Sequence, residues 1–237
     1  VIRDEANGLR RYCHLGTGNY NPKTARAYED LGILSADPEL TEDLTKLFNQ
    51  LSGFAPQSTY SRLLVAPSTL RSGIFERIDR EIENQKAGKP AGIQLKLNSI
   101  LDEGFVEKIY QASQAGVKIE LLVRGICAVQ PGIKGVSENI TVKSVLGRFL
   151  EHSRIFHFVN GGNNEYWIGS ADLMGRNLDR RVESLVRIDK KEHQNRLQEI
   201  LDLGLSADSS SWQLSGIEWT RVSKNSKGEA LLDVHSA

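Results

Sequence analysis

The sequence predicts an α/β protein, a mixed β-sheet flanked by helices and built from two related halves. Three observations predict it. Short apolar runs alternate with stretches whose apolar residues recur at helical spacing. The run Leu121-Leu122-Val123 is continuous enough for a strand covered on both faces, as in a parallel sheet. The turn His14-Leu15-Gly16-Thr17-Gly18-Asn19-Tyr20-Asn21 has a partner 153 positions later, at Gly169-Ser170-Ala171-Asp172. The same offset carries Asp30 onto Glu183, Leu44 onto Leu197 and Phe48 onto Leu201, so a duplicated site is expected.

Each element has a local reason. The chain opens Val1-Ile2-Arg3 without Met, as half a strand, and turns at Asn7-Gly8 into a strand over 9–15. It is expected to belong to a longer protein. Leu40, Leu44, Leu47, Phe48 and Leu51 predict a helix over 38–51, capped by Asp37. The turn-rich residues 52–58 mark a candidate domain boundary. Beyond it the pattern predicts a strand over 63–66 and a helix over 70–85, with Leu70, Ile74, Ile78 and Ile82 on one stripe. A strand follows over 93–97, then a helix over 103–115 stopped by Gly116, then a strand over 117–123. Further strands are expected at 140–142, 154–159, 165–169 and 182–188, with Gly161-Gly162-Asn163-Asn164 closing a hairpin. A helix over 192–205 comes next. The polar tail from Ser206 is expected to be partly disordered, with Trp212 and Trp219 docking back.

Composition bounds the partners. Lys plus Arg and Asp plus Glu number 30 each, so any anion site is local, and a basic nucleic-acid surface is disfavoured. Cys13 and Cys127 lie in apolar strand contexts without metal or disulfide spacing, which suits a reducing cytoplasm. No apolar run reaches the ~20 residues of a membrane span. The Gly-rich turns lack the GK[ST] of a phosphate-binding P-loop.

The residues that could carry chemistry gather around the second repeat. His152 and Arg154 share one strand face, where one can move protons while the other neutralises an anion. The Gly-Ser-x-Asp turn adds N–H groups and a hydroxyl, together making a phosphate pocket. The competing reading is a strand-end histidine in a satisfied hydrogen-bond network. Equal spacing would put the first repeat's histidine ahead of Val1. His14 occupies Trp167's place and is expected to be structural, as is His157 in mid-strand.

The segments YCHLGTGNYNPKTARAYEDLGIL, LKLNSILDEG, LLVRGICAVQPG, FLEHSRIFHF and GSADLMGRNLDRRVE resemble the C-terminal half of bacterial polyphosphate kinases, over about residues 10–205. That family is phospholipase D-like, with duplicated HxK and GSxN halves facing one active site. The resemblance implies residues 1–62 as the end of one such domain and 63–237 as a second with a polar tail. It implies transfer of the ATP γ-phosphate to a histidine and on to polyphosphate, reversibly. That nucleophile lies in an HxK motif ahead of this chain. ATP contacts are implied at Tyr28, Arg124 and His152, and His152 is the catalytic residue that remains. Mg2+ is implied with its ligands ahead of residue 1. A homo-oligomer is implied for the intact enzyme, in the cytoplasm, with membrane association through a complex as the alternative location.

Physical roles accompany these matches. Tyr28 offers a face for adenine and a hydroxyl for phosphate, or else serves as a core aromatic. Arg124 follows a buried strand at the carboxyl edge of the sheet, suited to phosphate oxygens, or else forms a surface ion pair. Arg176, Asn177, Arg180 and Arg181 cluster after the second turn. Arg181 is the counterpart of Tyr28 and a candidate for polyphosphate, against a solvated charged face. Asn19, Lys96 and Asn98 are further phosphate candidates.

Two rivals stand beside the kinase: a phospholipase D-type phosphodiesterase, and a non-catalytic module binding polyphosphate or nucleotide. Against the first, the second motif reads HSR and its turn ends in Asp172. Because no HxK occurs in it, this chain alone is expected to form no phosphohistidine with ATP and Mg2+. Acid-labile label on the chain after incubation with γ-labelled ATP would overturn that.

Overall fold

The computed structural model describes residues 1–54 and 59–236. The boundary expected at 52–58 therefore lies partly outside the described residues. β1 (Ile2–Glu5) and β2 (Gly8–Arg11) form a tight hairpin, continued by β3 (Cys13–Gly16). A short 3-10 turn at Ala25–Ala27 leads into β4 (Tyr28–Glu29) and β5 (Gly32–Ser35). α1 (Pro38–Leu51) begins where Asp37 Oδ1 accepts the Leu40 N–H at 2.9 Å, with Pro38 in the first turn.

The remaining elements build one nine-stranded mixed sheet and one short strand, Leu150–Glu151, that lies outside it. In chain order they are β6 (Leu63–Val65), α2 (Leu70–Lys86), β7 (Gly92–Leu97), α3 (Glu103–Gln114), β8 (Lys118–Val123), β9 (Ile140–Ser144) and β10 (Leu150–Glu151). Then come β11 (Ile155–Phe158), β12 (Glu165–Gly169), α4 (Gly175–Asp179), β13 (Ser184–Ile188), α5 (Lys191–Leu205), β14 (Ser211–Ser215) and β15 (Glu218–Val222). The spatial order is β15-β14-β9-β8-β7-β11-β12-β13-β6. β7, β8 and β9 run parallel, as the apolar run at 121–123 predicts, and the other neighbours are antiparallel.

Both faces of the sheet are buried. Phe156, Phe158 and Trp167 point into a core shared with Leu70, Ile74, Ile78, Phe105 and Ile109 of α2 and α3. Ile155, Tyr166 and Ile168 point the other way, into a core with Leu197 and Leu201 of α5 and Leu40 and Leu47 of α1. The period-2 alternation of these strands is what sorts one residue to each face. Asp102 caps α3 through Phe105 N–H and is gripped by Arg71, which holds its carboxyl below the ordinary aspartate range.

The duplication is present in the register. Leu15 pairs with Ile33 and Gly16 with Gly32; at the 153-residue offset, Ile168 pairs with Val186 and Gly169 with Leu185. α1 and α5 start at that offset too. Their faces differ. Leu201 is fully buried, and α5 lies so close to β8 that a Cβ on Gly204 would sit 2.5 Å from Leu122. Its counterpart Phe48 is 65% exposed, on a groove that it shares with Ile2 and Cys13.

The tail departs from expectation. β14 and β15 extend the sheet, β14 pairing with β9 through Trp212 and Gln213. Main-chain pairing at an open edge orders a polar sequence that apolar patterning alone does not reveal. No helix among the described residues is long and apolar enough to cross a membrane.

Gly169 is required by close approach, because a Cβ there would meet the Ser184 carbonyl oxygen at 1.9 Å. At Gly16 the nearest atom is the movable Tyr20 hydroxyl. Gly169→Ala is expected to lower unfolding stability by about 3 kcal/mol and Gly16→Ala by less than half of that, as read by urea denaturation.

Candidate active site

The site forms where the two repeats meet. β4 and β10 pair in parallel, Tyr28 opposite Leu150 and Glu29 opposite Glu151, and His152 N–H donates to Glu29 O at 3.0 Å. This short ladder sets the next residue of each strand side by side. His152 Nδ1 lies 2.8 Å from Asp30 Oδ1, a contact between residues 122 positions apart. The carboxylate assigns the proton to Nδ1 and leaves Nε2 as the unprotonated ring nitrogen, which faces Arg154 Nη1 at 3.3 Å. The Tyr28 ring packs on the imidazole with centroids 4.9 Å apart.

The two turns make the same hydrogen bonds. Thr17 N–H donates to Leu31 O at 2.9 Å, and Ser170 N–H to Ser184 O at 3.1 Å. The Thr17 hydroxyl donates to Asp30 at 2.8 Å, and the Ser170 hydroxyl donates to Glu183. The acidic pair found from the offset is therefore held by the paired hydroxyls. Asn177 Nδ2 also donates to Glu183, at 2.7 Å.

Arg154 is committed within the protein. Its guanidinium pairs with Asp172 at 3.0 Å and donates to Thr17 O, also at 3.0 Å, while Nη1 lies 3.3 Å from His152 Nε2. Asp172 Oδ1 also accepts from the N–H groups of Asn98 and Ser99. The expected free cation for an anion is thus balanced by the aspartate that ends the second turn. Asn19, the counterpart of Asp172, is exposed and bonds only locally, to Asn21 N–H.

Lys96 is likewise internal. It is 3% exposed and donates to Glu29 at 2.9 Å, Glu151 at 2.6 Å and Ser153 Oγ at 2.5 Å. With its three donors taken, it supports the β4–β10 ladder instead of presenting an ammonium to the cleft. Burial pushes the Glu29 carboxyl up, but the Lys96 ammonium and the Ser153 donors outweigh it and hold Glu29 below its ordinary value.

Asn98, at the carboxyl end of β7, is 4% exposed; its Oδ1 accepts from Arg124 Nε at 3.0 Å, which leaves Nδ2 buried without a partner. Arg124 and Tyr28 line an open cavity of about 390 Å3, together with Val145, Gly147, Phe149 and Glu151; His152 lies outside its lining. A larger groove of about 830 Å3 between the first hairpin and α1 contains none of Tyr28, Arg124 and His152. Arg181 is exposed, 4.0 Å from Glu183, and is not brought to the cavity. His14 bonds Tyr20 and Ile33 O, and His157 bonds Gln94 and Asn164, both within the scaffold. Among the described residues no group of three or more His, Cys, Asp or Glu could hold a metal ion.

Sequence reasoning missed Asp30 as the partner of His152, and Glu29 and Glu151 as partners of Lys96. The repeat had already singled out Asp30. The two glutamates flank site residues, Glu29 before Asp30 and Glu151 before His152, which is the signal that could have found them.

The family model described as polyphosphate kinase C-terminal domain 1 matches residues 1–57, and that described as C-terminal domain 2 matches 63–231. The polyphosphate kinase of Streptomyces coelicolor is 54% identical over 99% of this chain and 32% of its own length. That of Thermosynechococcus vestitus is 50% identical over 100% of this chain and 32% of its own. The crystal structure of the Porphyromonas gingivalis polyphosphate kinase superposes with a TM-score of 0.89 at 35% identity, covering 96% of this chain and 35% of that one. The chain spans about a third of the length of the curated relatives it matches.

Glu29 carries a pH signature. Its folded value is lowered, so its stabilisation is complete above the ordinary value of 4.5 and is lost as pH falls through the folded value. Glu29→Gln is expected to be less stable than the parent at pH 7 and to lose less stability below about pH 4.5, as measured by urea unfolding at both pH values.

Proposed function

The chain belongs to the polyphosphate kinase family, and on that premise we propose that it forms part of an ATP-polyphosphate phosphotransferase whose active site lies between its two repeats. The observation that carries this reading is the Asp30–His152 contact, in which an acid of one repeat holds the histidine of the other. Tyr28 and Arg124 take the nucleotide in the 390 Å3 cavity, the ring against adenine and the guanidinium on phosphate oxygens. Asn98 Oδ1 accepts from Arg124 Nε at 3.0 Å and so orients the guanidinium of the cavity from outside its lining. His152 Nε2 serves as general acid and base, or binds the phosphoryl group in flight.

The repeat extends the reading to the nucleophile. Glu183 is the counterpart of Asp30, so it is placed to hold a histidine from the first half. Ile168 faces Ile155, three residues after His152. Leu15, the counterpart of Ile168, continues a longer hairpin whose ladder runs through Ile2 and Arg11. Extrapolated by the same spacing, that register supports a corresponding histidine about six residues ahead of Val1 in a protein of the relatives' length. The γ-phosphate passes to this histidine, ADP leaves, and the terminal oxygen of polyphosphate takes the phosphoryl group in turn.

The described residues do not offer Mg2+ a ligand set. Glu29 and Glu151 are held by Lys96, Asp30 by His152 and Thr17, and Asp172 by Arg154.

In the intact protein, His152→Ala is expected to lower the ATP-dependent rate by roughly 100-fold or more. Arg124→Ala is expected to raise the KM for ATP roughly tenfold. If both variants keep the parent's ATP affinity and rate of polyphosphate synthesis, the shared site is wrong.

A further inference from the structure

The C-terminal segment returns to the cleft. Ser210 N–H donates to Leu232 O and Leu232 N–H to Asp208 O, both at 2.8 Å, and Leu231 N–H donates to Ser223 O. A 3-10 turn at Val234–Ser236 then turns His235 inward, with its side chain 5% exposed. His235 Nδ1 accepts the Phe149 N–H at 3.2 Å, and Nε2 lies 2.5 Å from Glu151 Oε1. The ring meets the Phe149 ring at 5.6 Å and 64°. A Cβ on Gly147 would sit 2.3 Å from Nδ1. One tautomer satisfies both nitrogens, with Nδ1 accepting and Nε2–H donating.

Those contacts fall on the wall of the nucleotide cavity. Gly147, Phe149 and Glu151 line it, and Glu151 Oε2 accepts from Lys96, which holds Glu29 beside Tyr28. An apolar side chain would bury similar area without the cost of desolvating an imidazole. A ring bonded at both nitrogens instead sets the direction of the Glu151 carboxylate and of the Phe149 backbone.

We propose that His235 is a positioning residue for the nucleotide cavity, and that the segment carrying it is a strap that holds the 145–151 wall against Tyr28 and Arg124. The proposal rests on the nucleotide reading of that cavity.

The test is steady-state kinetics of the intact protein at saturating polyphosphate, with hydrogen exchange over residues 145–151. His235→Ala is expected to raise the KM for ATP about tenfold, to change kcat less than about twofold and to speed exchange at Phe149. His235→Gln places an amide near the Nε2 position, keeps a donor to Glu151 and recovers most of the KM. An unchanged KM in His235→Ala overturns the strap. So does a KM left at the parent value in both variants while kcat and the thermal midpoint fall together, because that marks structural support alone. An unsubstituted protein whose polyphosphate synthesis does not depend on ATP overturns the nucleotide reading, and the exchange rate at Phe149 then decides the strap separately.

Discussion

A buried ammonium ties the two repeats together. Lys96 sits at the end of a central strand and reaches Glu29 of the first repeat and Glu151 and Ser153 of the second. A charge removed from water is costly unless its donors are all used, and here three acceptors meet them. The Lys96 contacts hold β4 against β10, and that two-residue ladder sets Asp30 beside His152 and Tyr28 on its ring. The cavity, the orientation of the histidine and the reach of the tail all depend on this clamp.

Around the clamp the repeats are alike in backbone and unlike in charge. Both turns spend a hydroxyl on an acid and pair their glycine in the same register. In the second, Asp172 answers Arg154 inside the protein. In the first, the corresponding Asn19 is uncharged and exposed. A guanidinium buried beside His152 needs a full counter-charge, and this explains why the second turn ends in aspartate.

Much of the fold was legible because its causes are local. Asp37 as a cap, Gly116 at φ +92°, the apolar stripe of α2 and the continuous run at 121–123 act within a few residues and took the shapes expected of them. The tail was not legible, since β14 is ordered by main-chain pairing to β9. The site was half legible. The offset singled out Asp30, Glu183 and the two turns, the strand-face pattern singled out His152, and the resemblance added Tyr28 and Arg124. Whether a charged residue faces a ligand or another side chain is a question of neighbours distant in sequence.

The sequence by itself determined most elements ahead of the tail, the duplication and the family, because caps, periodicity and repeated spacing are carried by residues close along the chain. Only the tertiary structure decided the use of the charges. Lys96 and Arg154, free cations by sequence, meet carboxylates 55 to 67 and 18 residues away, and His235, in a tail expected to be partly disordered, bonds Glu151 84 residues before it. A buried charge takes its partner from whatever the fold brings within about 3 Å, and sequence separation does not constrain that choice.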